Sequence, residues 1–459
     1  MSSEPVHRNK SAGNRKECKM SKSSLYNDTP FLPFQIHETQ RDIDLDIPKE
    51  DISLLRELGQ RYAEIAALPI QEKNRQLWED VNNLQPGRPA VWINEICWHE
   101  MNVDDELTIC SKSPIGRRIE SELRKTLYQW KHMPGDMVVD DIFYSPLILE
   151  NSGIGVEVSA SVLEVDSENT IASHSFHDVI KDEDDLEKIT YPVIKHNEKR
   201  SKDFFELYGM IFSGIMSVQS RGCTGFWFAP WDDIAMLRGA QNLLLDLAMR
   251  PEFMHKFITK LTDCYIEALR QFETMNLLAR NDINVRIGSG GYGYVGGMPD
   301  VGDPQNVKPI NMWGSATPQI FAAVSPQMHD EFGIQYEEKW LNLFGLTYYG
   351  CCEPLDGKID CLSKINNLRK ISISPWANVE RAAEQMRDKY VVSLKPSPAC
   401  FQGTSFDAAA IKSGLYEQMS KLKDCSVEII MKDISTVGYK PQRLWEWAKI
   451  TKEVLDSLY

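Results

Sequence analysis

The sequence predicts an α/β fold, a (β/α)8 TIM barrel preceded by a helical extension. Its 459 residues exceed an ordinary domain but suit one large α/β barrel. From about residue 90, short apolar runs alternate with longer stretches of helical periodicity, the pattern of a parallel β/α sheet or barrel. Eight runs are predicted strands: residues 90–96, 137–145, one within 214–228, 284–288, 346–351, 370–374, 390–395 and 427–432.

The part of the chain before the barrel divides into two predicted regions. Residues 1–24 are polar, basic and without periodicity, so we expect a disordered tail. Residues 25–89 form the predicted helical extension, because positions 49–83 carry apolar side chains at helical spacing: Leu54, Leu55, Leu58, Tyr62, Ile65 and Leu68. Residues 90–459 are assigned to the barrel.

Helical segments separate the predicted strands. Two of them read "AQNLLLDLAMRPEFMHKFITKLTDCYIEALRQF" and "SPQMHDEFGIQYEEKWLNLFG". The second begins with Ser325 and Pro326, which are typical of a helix cap and first turn. Strands that alternate with helices in this way favour a parallel sheet over an antiparallel one.

Composition excludes several classes of function. The net charge of −15 argues against binding to nucleic acid, which requires lysine and arginine to neutralise phosphates. No apolar run approaches the length of about 18 residues that crosses a membrane, and the first 30 residues lack the apolar core of a signal peptide. We therefore expect a cytoplasmic protein, whose ten cysteines are reduced thiols.

The predicted strand at 346–351 ends in an unusual way. It is followed by "CCEP", Cys351 to Pro354, and proline cannot continue a helix or a central strand. The active site of such a barrel lies at the carboxyl ends of its strands. Alternation along a strand predicts that Cys351 and Glu353 face the same side and Cys352 the opposite one.

Other polar residues follow predicted strands. They are Glu95, His99 and Glu100, then Ser374, Lys395, Cys400, Lys432 and Asp433. Thiols, imidazoles and carboxylates are zinc ligands, so this end of the barrel is rich in candidate ligands. His329 is expected to be structural instead.

Two further features bear on substrate binding. The segment "IGSGGYGYVGGMPD" lacks the lysine and serine or threonine of a phosphate-binding P-loop, so we expect a mobile loop at the barrel mouth. Trp227, Trp231, Trp313 and Trp376 lie near predicted strand ends and could line an apolar pocket. Core packing is the more common position of tryptophan.

Five segments occur along the chain in a specific order. They are "RPAVWINEICWHEMN", "DDIFYSPLILENSGIGVEV", "GAQNLLLDLAMRPEFMHKFITKLT", "YYGCCE" and "SLKPSPA". In this order, over about residues 85–459, the chain resembles the uroporphyrinogen decarboxylase superfamily. It is most similar to the corrinoid-dependent methyltransferase branch, of the O-demethylase methyltransferase I type. "YYGCCE" falls where that branch carries a His-x-Cys zinc pair.

Departures from the family pattern decide between its activities. The decarboxylase has an arginine-rich segment after its first strand, and this chain has the acidic "INEICWHEMN" there. Unpaired like charges in a binding site cost several kcal/mol, so a polycarboxylate tetrapyrrole is not the expected substrate. In the methyltransferase pattern Tyr349 replaces the histidine and Cys351 keeps the cysteine.

The resemblance therefore implies a methyltransferase that moves a methyl group from a small O- or N-methylated compound to Co(I) of a separate corrinoid protein. It implies a zinc site in which Cys351 is the matched ligand. From their predicted places at the barrel mouth, Cys351 or Cys352, with Glu353 and His99, are the candidate ligands, and His99 and Glu100 are the expected catalytic residues. The expected substrate-binding residues are Trp227, Trp313, Trp376 and Lys395. The cobalamin must come from the partner, because the chain has no Asp-x-His-x-x-Gly segment.

Two alternatives stay open at this point. One is a lyase acting on a small carboxylic acid, for which Lys395, Lys432 and Arg286 are the candidate cations. The other is a barrel that has lost catalysis and serves as a binding subunit, which the absence of histidine at 349 permits. The expected partners are the corrinoid protein and a small methylated substrate, with a homodimer left open.

Overall fold

A computed structural model describes residues 17–19, 42–163, 173–299, 302 and 306–459. Its centre is a six-stranded sheet in which every strand runs parallel to its neighbours. Helices follow these strands along the chain, so the fold is α/β. No helix in the described ranges is long and apolar enough to cross a membrane.

The strands are short. In chain order they are β1 Glu17–Lys19, β2 Ala90–Ile93, β3 Ile142–Pro146, β4 Leu149–Asn151, β5 Ser159–Leu163, β6 Ser173–Phe176, β7 Ile194–His196, β8 Ser217–Arg221, β9 Trp313–Ala316, β10 Leu346–Tyr349, β11 Leu368–Ile373, β12 Val391–Leu394 and β13 Val427–Met431. The central sheet has the order β2-β13-β12-β11-β10-β9. Its residues are almost all buried, as expected for strands covered on both faces.

The α-helices begin and end as follows: α1 Lys49–Ala66, α2 Ile70–Asn82, α3 Pro114–His132, α4 Glu198–Phe212, α5 Pro230–Arg238, α6 Ala240–Met249, α7 Pro251–Thr274, α8 Pro326–Met328, α9 Gln335–Leu341, α10 Ile359–Leu362, α11 Val379–Met386, α12 Ala408–Lys421 and α13 Gln442–Leu458. A π-helical stretch, His329–Ile334, joins α8 to α9. The Ser325 hydroxyl accepts the backbone N–H of Met328, which confirms the expected cap.

Prolines divide two segments that the sequence pattern treats as continuous. Positions 49–83 form α1 and α2 with Pro69 between them, and Pro251 begins α7 directly after α6. Proline has no backbone N–H and blocks the preceding turn. Helix α1 packs through Leu55 and Leu58 against a cluster that includes residues of α3 and α4.

The strand predicted at 284–288 is wrong, and a strand at β9 was missed. Ile287 accepts the backbone N–H of Gly290 and donates its own to Gly291, so the chain turns back there. A Cβ atom at Gly288 or Gly290 would meet the ring of Tyr348, and one at Gly291 the ring of Trp78. Residues 288–291 of the glycine-rich segment are therefore packed against these rings, while the mobility expected of the segment stays a prediction.

The outer edges of the central sheet meet other extended segments. Beyond β9, Ala316 forms a parallel bridge with Phe228, and beyond β2, Val91 accepts the backbone N–H of Asp136. Strands β3 and β8 form a separate parallel pair. An excursion between them carries the antiparallel pairs β4-β7 and β5-β6.

The predicted disordered tail is almost wholly outside the described residues. Of residues 1–24, only Glu17–Lys19 is described, as β1 paired antiparallel with β5.

Candidate active site

The carboxyl ends of the central strands bring a set of polar side chains to one edge of the sheet. Because the strands are parallel, the residue after each strand lies at the same edge. Glu95 follows β2, Thr317 follows β9 and Cys351 follows β10, while Lys395 and Lys432 directly follow β12 and β13. Sequence reasoning placed four of the five at this edge, and Thr317 belongs to the strand that it missed.

Lys432 and two thiols form the centre of this edge. The Lys432 ammonium lies 3.6 Å from the Cys351 sulfur and 3.8 Å from the Cys352 sulfur. The two sulfur atoms are 3.5 Å apart. Strand β10 ends at Tyr349, and Gly350 has a φ of 93°, a left-handed conformation that breaks strand alternation. The expectation that Cys352 faces away from Cys351 is therefore wrong.

Two carboxylates and one guanidinium group complete the cluster. Lys432 donates to Asp433 over 2.7 Å and lies 3.4 Å from Glu95, which also pairs with Arg286 over 2.6 Å. Glu95 and Asp433 both have left-handed backbone conformations, with φ of 49° and 57°. A left-handed backbone costs free energy at residues other than glycine, and residues held in such strained conformations cluster at functional sites.

The charges at this edge control one another's protonation. The hydrogen bond with Cys352 lowers the pKa of the Cys351 thiol, and Lys432 acts in the same direction against the effect of burial. Burial favours neutral Glu95, but Arg286 and Lys432 outweigh it and lower the pKa of that carboxyl. The cationic side chains at this edge therefore favour the ionised forms of Cys351 and Glu95.

Lys395 is an amine of the site whose pKa is lowered. Its side chain is buried and donates to the Tyr348 hydroxyl and to the Ser393 carbonyl, both over 3.0 Å. Burial lowers the pKa of Lys395 to about 7, although the Glu428 carboxylate opposes the shift. An amine with this pKa can give or take a proton near neutrality.

A second buried network lies behind the thiols. Glu353 accepts the backbone N–H of Cys351 over 2.9 Å and the Thr317 hydroxyl over 3.0 Å. Burial raises the pKa of Glu353. Tyr349, at the position of the family histidine, donates to Glu337 and lies 2.6 Å from the Nε2 atom of His329. His329 thus belongs to the core, as the sequence suggested.

The expected zinc ligands do not fit a metal ion in this arrangement. A catalytic zinc site needs three protein ligands at one point. Within the described ranges, no group of three or more histidine, cysteine, aspartate and glutamate side chains is placed to hold one. Cys351, Glu353 and His99 are therefore not brought together as ligands. The Lys432 ammonium occupies the position beside the thiols, and Glu353 is held by two protein donors.

The structure gives the two expected catalytic residues different surroundings from the cluster. Glu100 is buried and accepts the Thr436 hydroxyl and the N–H groups of Val437 and Tyr439. Burial favours its neutral form, but these hydrogen bonds lower the pKa of Glu100, so it is a poor proton donor. His99 lies 3.7 Å from Glu100. Both belong to the turn after β2, and the described contacts of Glu100 are structural.

The expected substrate-binding tryptophans are scattered. Trp313 is 1% exposed at the amino end of β9, where its indole donates to Gly293. Trp376 follows β11 and is 80% exposed, and Trp227 is half-buried in the segment before α5. A cavity of about 20 Å³ beside Trp313 and Arg286 has room for one water molecule. The three indoles do not form a common apolar pocket.

Several site residues carried no usable signal in the sequence. Glu337, Lys358 and Asp232 lie on helices or turns between strands and have ordinary local patterns. Burial and the neighbouring Glu353 raise the pKa of Asp232. These groups come within electrostatic range of Glu353 only through packing. By contrast, Lys432 and Asp433 were visible as polar residues directly after a strand, and Arg286 was named on the strand predicted at 284–288, which the structure does not contain.

Comparison with known proteins finds only distant structural likeness. No protein-family model matches the chain, and no curated protein matches it. Among solved structures, a methyltransferase from Methanosarcina mazei is similar, with 12% sequence identity, a TM-score of 0.45, and coverage of 84% of this chain and 99% of that one. At such low identity and score, no residue role or substrate is transferred from it.

Proposed function

We propose that this protein is a methyltransferase of the corrinoid-dependent branch of the uroporphyrinogen decarboxylase superfamily. Its reaction moves a methyl group from a small O- or N-methylated compound to Co(I) of a separate corrinoid protein. The observation that carries the proposal is the cluster of Cys351, Lys432 and Lys395 at the carboxyl edge of the parallel sheet. A reducing cytoplasm would keep its thiols free.

The proposal includes a closed barrel. The six-stranded sheet consists of β2 and β9 to β13, and its two edge strands contact Asp136 and Phe228. The parallel pair β3-β8 comes from the same stretch of chain. If β3, β8 and the segments around Asp136 and Phe228 lie between β2 and β9, they would close the sheet. The cluster would then lie at the carboxyl end of the barrel, where barrel enzymes have their active sites.

This chain's own residues would supply electrostatics and a proton. A methyl ether or methylamine is inert because the atom that leaves the methyl group is strongly basic. The bond from methyl carbon to oxygen or nitrogen breaks as the acceptor cobalt takes the methyl group. Lys432 would then stabilise the charge on the leaving atom, and Lys395 would give it a proton.

The edge is accessible on one side. The side chains of Glu95 and Asp433 are 35% and 50% exposed, whereas Lys432 and Lys395 are buried behind them. Trp376, which is exposed after β11, offers an aromatic contact for a second protein at the same edge. The partner could therefore present its corrin over the cluster.

A direct test mixes the purified protein with a reduced corrinoid protein and a panel of methylated compounds. We expect a methyl-Co(III) absorbance change that requires both proteins. Lys432→Met should lower the rate about 100-fold, and Lys364→Met, at an exposed lysine paired with Asp330, should not. Turnover of a methylated compound by this protein alone would contradict the proposal.

One observation favours a second candidate, a lyase acting on a small carboxylic acid. Arg286, Lys395 and Lys432 lie within electrostatic range of one another at the same edge, and three cations suit a carboxylate substrate. Release of carbon dioxide from a small acid, without a corrinoid protein, would support this candidate and exclude methyl transfer as the main activity.

A further inference from the structure

We propose that Cys351 and Cys352 are a redox modification site, which a hydroperoxide closes to a disulfide between adjacent residues. The proposal goes beyond methyl transfer and concerns a covalent change of the thiols themselves. It starts from the 3.5 Å separation of the two sulfur atoms. In a disulfide they would be about 2.05 Å apart, so closure needs an approach of about 1.5 Å.

The local backbone allows this approach. Both cysteines lie beyond the end of β10, so closure breaks no strand pairing. The preceding Gly350 is left-handed, and it turns both side chains to the same side. Adjacent Cα atoms are only about 3.8 Å apart, shorter than in ordinary disulfides. The bond should therefore be easily reduced, as regulatory disulfides are.

The surroundings of these two thiols favour their reaction with each other. Lys432 lies within 3.8 Å of both sulfur atoms, and a neighbouring cation favours the reactive thiolate. Cys352 is partly exposed and donates to Asp433 over 3.3 Å, so a small hydroperoxide can approach from that side. Cys110 is exposed and lies 3.9 Å from the Arg124 guanidinium, but its described contacts include no second thiol.

The chemistry balances with one hydroperoxide. The Cys351 thiolate attacks one peroxide oxygen, the O–O bond breaks, and the sulfur becomes a sulfenic acid while the leaving oxygen takes a proton. The Cys352 thiol then attacks this sulfur, the S–S bond forms, and a water molecule leaves. The two thiols lose two electrons and two protons, and the peroxide gains them.

The modification can be measured without any turnover assay. Residues 340–358 follow Lys339 and end at Lys358, so trypsin releases both cysteines in one peptide that holds no other cysteine. The folded protein is treated with hydrogen peroxide, its remaining thiols are blocked with an alkylating reagent, and this peptide is weighed. We expect it to be unalkylated and lighter by two hydrogen atoms, and to become doubly alkylated after treatment with dithiothreitol.

Variants test the assignment. Cys352→Ser should abolish the mass loss, Lys432→Met should slow it about tenfold, and Cys361→Ser should leave it unchanged. The proposal is overturned if the wild-type peptide stays doubly alkylated, carries only sulfinic acid, or is linked to another cysteine. It is also overturned if Cys352→Ser loses the same mass.

Closure should also affect the site. It changes the two sulfur atoms that lie within 3.8 Å of the Lys432 ammonium, the group proposed to stabilise the leaving atom, so methyl transfer should slow and recover with dithiothreitol. That consequence rests on the proposed function, whereas the peptide mass does not. A protein that forms the disulfide, but whose reduced form shows no methyl transfer, would therefore refute the function and leave the modification intact.

Discussion

Two buried lysines of the same sheet, Lys370 and Lys432, have opposite surroundings. Lys370 lies within β11, pairs with Glu428 over 2.9 Å and contacts the Tyr292 carbonyl. Both partners are fully buried. Lys432 lies beyond β13 among two thiols and two carboxylates, next to residues with left-handed backbones. Burial and pairing are common to both lysines, so they do not distinguish a structural lysine from a functional one.

The two lysines differ in how completely their surroundings are enclosed. The Lys370–Glu428 pair is enclosed by Ser393 and the Gly291 turn, and Glu428 accepts hydrogen bonds from both. The Lys432 cluster instead combines a nucleophilic sulfur, backbone strain and partly exposed carboxylates. Strain and incomplete enclosure are thus the better indications of a site.

The largest effect should come from breaking the enclosed pair. Lys370→Met leaves the Glu428 carboxylate buried without its main partner, and such variants lose about 3–5 kcal/mol of unfolding free energy. Denaturation by urea measures the loss. The double variant Lys370→Met with Glu428→Met should lose less, because the carboxylate that lost its main partner is removed as well. An equal or greater loss in the double variant would contradict this role.

Lys432→Met should show the reverse behaviour. We expect turnover to fall about 100-fold while the unfolding free energy changes by about 1 kcal/mol or less, because Glu95 keeps Arg286 as its partner. Initial rates and urea denaturation of one preparation give both values. A large stability loss with normal turnover would place Lys432 with Lys370 as a structural lysine.

Lys395 shares features with both Lys370 and Lys432, and the pH dependence of turnover should reveal its role. With its pKa lowered to about 7 by burial, turnover should fall as pH rises above about 7, because the amine loses the proton that it donates. Lys395→Met should be slower by about tenfold or more and lack this decline. A wild-type rate that is flat from pH 6 to 9 would contradict the role as proton donor.

Lys395 should also make the unfolding free energy of the protein depend on pH. The folded amine titrates near pH 7 and the unfolded one near its ordinary value of about 10.4. Between these values the unfolded state binds more protons, so the unfolding free energy rises with pH. Wild type should therefore gain stability relative to Lys395→Met across this range, and denaturation at several pH values measures the gain.

A smaller effect is expected at Glu100. Glu100→Gln should lose about 1–2 kcal/mol, because the carboxylate holds the turn at Val437 and Tyr439. Its turnover should change little in thermally stable preparations. A loss of turnover as large as that of Lys432→Met would restore the catalytic role that the sequence suggested.

The smallest effect is expected at Trp376. Trp376→Ala should change the unfolding free energy by about 0.5 kcal/mol or less, because the side chain is 80% exposed. If the partner docks at this edge, the variant should need a higher concentration of corrinoid protein for half-maximal rate. An unchanged requirement would remove Trp376 from the docking surface.

Local pattern was enough to determine the parallel α/β architecture and the polar residues after its strands. Apolar runs separated by amphipathic helices predicted β2, β10, β12 and β13 to within a few residues, because such strands must be buried on both faces. The Cys351-Cys352-Glu353 segment was placed correctly after β10 for the same reason. Glycine and serine in β9 concealed a strand, since neither residue favours one.

Only the tertiary structure decided which of these polar residues meet. Sequence spacing cannot show that Gly350 turns both thiols the same way, that the Lys432 ammonium lies beside them, or that Glu100 is used to hold a turn. The glycine-rich turn at 288–291 is packed inside for a similar reason, since its neighbours Tyr348 and Trp78 come from distant parts of the chain. Charges and side-chain contacts act through space, so partners far apart in sequence become visible only when the chain is folded.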